Sequence, residues 1–311
     1  MPLDHIPRRE SGEHHDADIP PADFRDYATG RSPVQRTVYE VQQHFGYRYP
    51  APISNLRQRL VVVPGPVHGN QRVLSRRLDV SLPARKRMHT DRFGNVIFEI
   101  SIPEVEETVD FDLSLTVERR TGHGRHLEAA ATHARHVYLM PSALTRPDAA
   151  LRAVAAELAC CRETGADLAR IAGDWVHRHM TYGFDRTGVR TTAAQVLAAG
   201  HGVCQDYAHL MLALCRLLGI PARYVSGHLV GEGGTHAWVE VLQPVPGEAV
   251  EILAWDPTHD RPTDLRYLTV AVGRDYRDVA PVSGTYRGAY AGRLTTDRHV
   301  SVAHIEREIA A

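Results

Sequence analysis

Near Pro147 the repeat of apolar residues along this chain switches from a period of two to a period near 3.6, and that switch restricts the fold more than any other feature. Between Thr108 and Val117 the apolar positions Val109, Phe111, Leu113, Leu115 and Val117 alternate with Asp110, Asp112, Ser114 and Thr116, which predicts a strand with one wet face. The runs TVYEVQQ at 37–43, LRQRLVVVP at 56–64 and NVIFEISI at 95–102 read as further strands, with Pro, Gly and Asn between them. From Pro147 the spacing turns helical. Leu151, Val154, Leu158 and Cys161 form one stripe, and Leu168, Ile171, Trp175 and His179 a second. With 311 residues the chain has room for two domains. The expected order is a polar leader at 1–30, marked by Pro20, Pro21 and Gly30, then a β-rich unit at 31–140, then a mixed unit at 141–311.

Charge and cysteine content narrow the function. Lys plus Arg total 36 against 37 Asp plus Glu, so no global positive field exists to hold nucleic acid or an anionic membrane. No apolar run is long enough for a membrane span, and the opening MPLDHIPRRESGEHHDAD carries charges where a signal peptide needs a hydrophobic segment; a cytoplasmic location is expected. Four cysteines are too few for a disulfide framework, and Cys160 and Cys161 are adjacent, which strains a bond between them. Each thiol is therefore core filler or a nucleophile.

One thiol has a setting of its own. Thr192 and Gln195 fit a capping box for a short helix that Gly200 stops, and then Gly-His-Gly-Val leads into Cys204. Tyr207, Met211, Leu214, Cys215 and Leu218 recur at helical spacing until Gly219 and Pro221, so Cys204 falls in the first turn of a helix. Unpaired N–H groups and the positive dipole end favour a thiolate there, while Cys215, three turns on, reads as core. A thiolate needs an imidazole, and the imidazole a carboxylate. Among 19 histidines, His236 stands out because Thr-His236-Ala-Trp-Val-Glu-Val opens a strand, and Glu251 to Asp256 ends another across a turn at 244–247. A hairpin centred near residue 246 sets His236 opposite Asp256. Taken singly, each residue has a plain structural explanation: a polar residue at a strand mouth, a turn residue before Pro257, a small helix residue. A metal hydrolase would have to use His123 and His126, His133 and His136, or His177 and His179. These pairs lack a carboxylate in a recognisable helical motif, so no metal and no cofactor are expected.

The segments GVCQDYAHLMLALCRLLGIPARYVSG at 202–227, THAWVEV at 235–241 and WDPTHD at 255–260 resemble the core of bacterial transglutaminase-like proteins, a branch of the papain-related cysteine enzymes. VGRDYRDVAPVSGTYRG at 272–288 is similar to that branch's C-terminal segment. Tyr39, YRYPAPISNLRQRL at 47–60 and TDRFGNVIFEISI at 90–102 resemble its N-terminal β domain. The resemblance implies an α+β fold: a β-sandwich-like N-terminal domain, then a papain-like core whose nucleophile starts a helix packed on an antiparallel sheet. It maps the nucleophile onto Cys204, the general base and acid onto His236 and the orienting acid onto Asp256. The upstream Trp that animal transglutaminases use has no counterpart here, and Tyr182, Gln195 and Gln205 are the candidates for oxyanion or substrate-positioning roles. The implied activity is hydrolysis or acyl transfer at a glutamine side chain or peptide amide, with a peptide or protein substrate and an amine as the other acceptor. A catalytically silent binding module on the same fold is the alternative.

Overall fold

The computed structural model describes residues 34–122, 124–129, 132–184, 187–246 and 249–307, so the expected leader at 1–30 and His123 lie outside the described residues. The chain forms two compact units. Among the described residues the first takes 34–121, Leu229–Gly234 and 280–307, and the second takes those within Gly122–His228 and Thr235–Val279.

Alternation builds the first unit. Its leading strands are β1 (Val34–Arg48), β2 (Ile53–Val63), β3 (Val67–His68), β4 (Gln71–Val80), β5 (Arg85–Thr90), β6 (Val96–Val105) and β7 (Thr108–Arg120). The predicted alternation in β7 is the observed one: Val109, Phe111, Leu113, Leu115 and Val117 are buried, while Asp112 and Ser114 are exposed. Tyr47 of β1 meets Phe111 edge to face at 5.9 Å, and the Gln58 amide of β2 donates to the Tyr47 hydroxyl at 3.0 Å.

The second unit runs β8 (Arg125–Ala129), α1 (Thr132–Leu139), α2 (Ala149–Leu158), α3 (Gly165–His179), β9 (Thr181–Tyr182), α4 (Ala193–Ala199), β10 (His201–Gly202) and α5 (Cys204–Leu217). It continues through β11 (Ala222–Leu229), β12 (His236–Pro244), β13 (Ala249–Asp256), β14 (Arg261–Pro262), β15 (Tyr267–Gly273) and α6 (Tyr276–Val279). Its main sheet has the order β14-β13-β12-β11-β15, with β8 also paired to β13. β11, β12 and β13 pair antiparallel. Helix α5 is buried on every side from Asp206 to Arg216, more than the single stripe expected. Arg216 anchors its far end, donating to the carbonyls of Tyr138 at 3.1 Å and Arg274 at 2.6 Å and to the Thr145 hydroxyl at 2.5 Å.

Two expected stripes shift. Helix α2 stops at Leu158, so Cys161 lies past its end and is exposed rather than buried with Leu151 and Leu158. Helix α3 buries Leu168 of the expected stripe together with Ala169, Ala172, Gly173 and Val176, and leaves His179 exposed. The reason is the bulk of Trp255: a Cβ on Gly173 would lie 2.7 Å from that ring, so only a glycine face fits against it.

The chain then returns to the first unit as β16 (Val282–Arg287) and β17 (Arg293–Arg307). The two sheets of that unit have the orders β17-β1-β7-β4-β3 and β16-β2-β6-β5. Among the described residues no helix is long and apolar enough to cross a membrane.

Candidate active site

The segment before Cys204 is held from two sides. Thr192 and Gln195 form the predicted capping box on α4, and Gly200 ends that helix at φ +69°, a left-handed conformation that favours glycine. His201 and Gly202 then pair in parallel with Thr181 and Tyr182, and the Thr181 N–H donates to the Gly200 carbonyl at 2.9 Å. Gly202 lies close against the first turn of α5. A Cβ there would lie 2.6 Å from the Asp206 Cβ, so the glycine makes room for that side chain. Asp206 in turn accepts the Val203 N–H at 2.8 Å and the Thr187 hydroxyl at 2.7 Å, which closes the first turn of α5. Cys204 is the first residue of α5 and half-buried, with Sγ 4.0 Å from the Thr235 carbonyl oxygen. The first N–H groups of a helix have no partner within it and form the positive end of its dipole, and Cys204 sits at that end.

His236 opens β12 and is buried. The hairpin register differs from the expected one. Val239 pairs with Trp255, Val241 with Leu253 and Pro244 with Val250, which centres the ladder on residue 247 instead of 246. The partner of every residue moves by two, so His236 and Asp256 become diagonal neighbours. A shift of two keeps them on one face, where long side chains still reach each other. His236 Nε2 donates to Asp256 Oδ2 at 2.8 Å, and the Cys204 side chain is near enough to raise the ring's proton affinity as well. With Nε2 engaged, Nδ1 is the atom left to face the sulfur. Burial works against a charged ring, but the bond to Asp256 and the neighbouring Cys204 outweigh it and the imidazole is pushed up to about 10.

Asp256 is fully buried, and its carboxylate is closely surrounded by donors. Oδ2 accepts from His236, from His259 Nδ1 at 2.7 Å and from the Tyr267 hydroxyl at 2.8 Å. Oδ1 accepts the backbone N–H groups of Thr258 at 2.8 Å and His259 at 3.3 Å. Burial alone would raise its pKa. The bonds from His236 and His259 reverse that and hold the carboxyl well below the usual range. Arg261 Nε donates to the Tyr267 oxygen at 3.0 Å and so directs that hydroxyl's own proton toward Asp256.

Of the expected supporting residues, Tyr182 sits on the strand that flanks Gly202, exposed and edge-on to Phe184 at 5.3 Å. The Gln205 amide donates to the Gly188 carbonyl at 3.3 Å, and the Gln195 side chain accepts the Thr192 N–H at 2.9 Å. Cys215 is buried, which pushes its thiol up to about 12, as a core residue should be. His209, five residues past Cys204, is buried, accepts the Tyr276 N–H at 3.1 Å and is pushed down by burial to about 4. His259, Tyr267 and the Thr258 N–H were missed in the sequence. The one local signal was a His three residues after the Asp, in a Pro-containing turn. Donor atoms of His236, Asp256 and His259 lie within 4.8 Å of one another and could be shared by a cation, but hydrogen bonds already join them.

Residues 152–247 match the family described as Transglutaminase-like superfamily, and residues 39–118 match the Bacterial transglutaminase-like N-terminal region. An uncharacterised protein of Mycobacterium leprae (strain TN) is 32% identical over 279 residues, which covers 83% of this chain and 94% of that one. An uncharacterised protein of Mycobacterium tuberculosis (strain ATCC 25618 / H37Rv) is 40% identical over 120 residues, 35% of this chain and 38% of the other. The solved structure of a candidate cysteine protease from Cytophaga hutchinsonii has a TM-score of 0.70 at 21% identity and covers 88% of this chain and 93% of that chain. At that identity the likeness shows the fold alone.

Proposed function

Since the chain belongs to the transglutaminase-like superfamily and carries that group's bacterial N-terminal region, we propose that it is a cysteine-dependent enzyme that cleaves or exchanges amide bonds through a thioester. The reading rests on one observation: a buried imidazole, His236, donates to the Asp256 carboxylate, and the Cys204 sulfur lies 4.0 Å from the carbonyl oxygen of Thr235, the residue just before that histidine.

In this mechanism the Cys204 thiolate attacks the carbonyl carbon of a glutamine side chain or peptide bond. The oxyanion is met by the Cys204 backbone N–H at the helix start, with Tyr182 and Gln205 as the nearby side-chain candidates. His236 gives its Nδ1 proton to the leaving amine, the C–N bond breaks, and the acyl group remains on sulfur as a thioester. Water or an amine then attacks the thioester, His236 takes up its proton, and the thiolate leaves. Asp256 keeps the ring in one tautomer and stabilises its positive form throughout. Gln195 is committed to its helix cap and is left out of this scheme.

Incubation with a panel of peptide amides and a fluorescent primary amine tests the proposal. Intact-mass analysis is expected to find an acyl adduct on the wild type, with product formed by hydrolysis or by amine incorporation. Cys204→Ala should give neither while melting at the same temperature. An adduct or turnover that survives in Cys204→Ala contradicts the assignment.

A further inference from the structure

Resting on the acyl-transfer reading of this site, we infer that His259 is a positioning residue that grips both oxygens of Asp256 and so aims the carboxylate at His236.

The argument begins with the turn after β13. Asp256-Pro257-Thr258-His259 folds so that Oδ1 accepts the N–H groups of Thr258 at 2.8 Å and His259 at 3.3 Å. This is the turn that an Asp makes by bonding its own following backbone, with Pro257 fixing φ. Those bonds hold one oxygen. A carboxylate turns about Cβ–Cγ as one rigid plane, and a residue that bonds both of its oxygens resists that turn more than one that bonds a single oxygen. His259 bonds both, since its ring Nδ1–H donates to Oδ2 at 2.7 Å while its backbone N–H serves Oδ1. Thr258 adds no such second bond, because its hydroxyl is buried without a partner.

Oδ2 is also the oxygen that His236 uses, at 2.8 Å. The two rings lie 5.4 Å apart between centroids and tilted by 48°, so both approach the same oxygen without stacking face to face. Tyr267 makes the third approach, with Arg261 behind it. These are the charged and titratable groups around the carboxylate. His236, His259 and Tyr267 each donate to Oδ2, and of these only His259 also reaches Oδ1. The ring is about one-third exposed, so it can be changed with little loss of core packing. A donor removed here leaves the carboxylate buried with one bond fewer, and its remaining bond to His236 loses direction. The effect reaches Cys204 only through that ring.

The test uses the full-length chain, with iodoacetamide as the thiol probe at near-neutral pH. Wild type is measured first, by the labelling rate of Cys204 and by the downfield proton resonance of His236 Nε2–H, identified by its loss in His236→Gln. His259→Phe keeps a ring and removes the donor. His259→Asn restores a side-chain N–H of similar reach. The expected outcome is labelling about tenfold slower in His259→Phe, the equivalent of one hydrogen bond to a charged group, with the His236 resonance shifted upfield. His259→Asn should recover most of both. If His259→Phe melts early, His259→Ala takes its place as the donor-free variant. The inference is overturned if the donor-free variant matches wild type in both readouts, or if His259→Asn is as impaired as that variant. A wild-type Cys204 that labels no faster than the other thiols defeats the acyl-transfer reading itself. Fast wild-type labelling with unaffected variants defeats only the positioning role.

Discussion

Strands β7 and β12 sit in different units and treat their polar residues in opposite ways. From Val109 to Val117 every second residue of β7 is buried, and Asp112 and Ser114 keep their water. In β12 the seven residues from His236 to Leu242 are all buried, including His236 and Glu240. A polar side chain on β7 costs little. On β12 each must find a partner, because an unpaired charge in a dry interior is strongly destabilising. The partners are present: Asp256 for His236, and Arg223 for Glu240 at 2.6 Å. A wet-faced sheet therefore supplies architecture, whereas a doubly covered sheet can hold charged groups with altered proton affinity.

Substitutions measure this contrast directly, and the largest effect belongs to the dry sheet. Asp256→Asn should lower acyl transfer by on the order of 10³ to 10⁴-fold, since the amide no longer holds His236 in its charged, correctly oriented form. A thioester assay against the peptide amides found active on wild type reads this out.

Stability should also follow pH through the same ring. His236 is pushed up to about 10 from an ordinary value of 6.5. A raised folded-state value means that its contribution is complete below about 6.5 and is lost as pH rises toward 10. The Asp256 carboxyl is held low, so its contribution is complete above the ordinary carboxylate range and declines as pH falls below it. Urea unfolding across this span should show stability falling on both sides in wild type. In His236→Gln the alkaline decline should be shallower.

Next in size is the buried ion cluster. The Arg223 guanidinium reaches Glu240 at 2.6 Å and Glu128 at 2.7 Å and 3.0 Å. Arg223→Met takes the guanidinium partner away from the buried Glu240 and should cost about 3 to 5 kcal/mol in urea unfolding. The smallest effect is expected on the wet face of β7. Asp112 is exposed and accepts from His44 at 2.8 Å, also at the surface. Asp112→Ala should change stability by less than about 0.5 kcal/mol, and a change as large as that of Arg223→Met would break the comparison.

How much the sequence discloses follows the same division. The alternation in β7, the capping box of α4 and the helix start at Cys204 were legible, because each is a pattern within about a dozen residues. The pairing of β17 with β1 was not. It joins Val41 to Val300 and Phe45 to Thr296, and nothing near either strand names its partner. The hairpin centre was misplaced by one residue because turn length was guessed, yet parity put His236 and Asp256 on one face all the same. Cys161 was misplaced because the apolar stripe runs on past the true helix end at Leu158. The α3 stripe held only at Leu168, because a large side chain from elsewhere, Trp255, selects the small face of the helix. His259 went unread because a turn sequence shows which backbone shape is favoured, but not that a carboxylate will accept from both the backbone and the ring of one residue.

The central claim is that Cys204 is activated by its neighbours and not merely accessible. Competitive labelling of the native protein with limiting iodoacetamide at near-neutral pH, read by peptide mass, separates the two. Cys160 and Cys161 are exposed, Cys204 is half-buried and Cys215 is buried, so accessibility alone would label Cys160 and Cys161 first. The account predicts Cys204 first, ahead of both exposed thiols. Labelling in the order of exposure, with Cys204 behind Cys160 and Cys161, would contradict it.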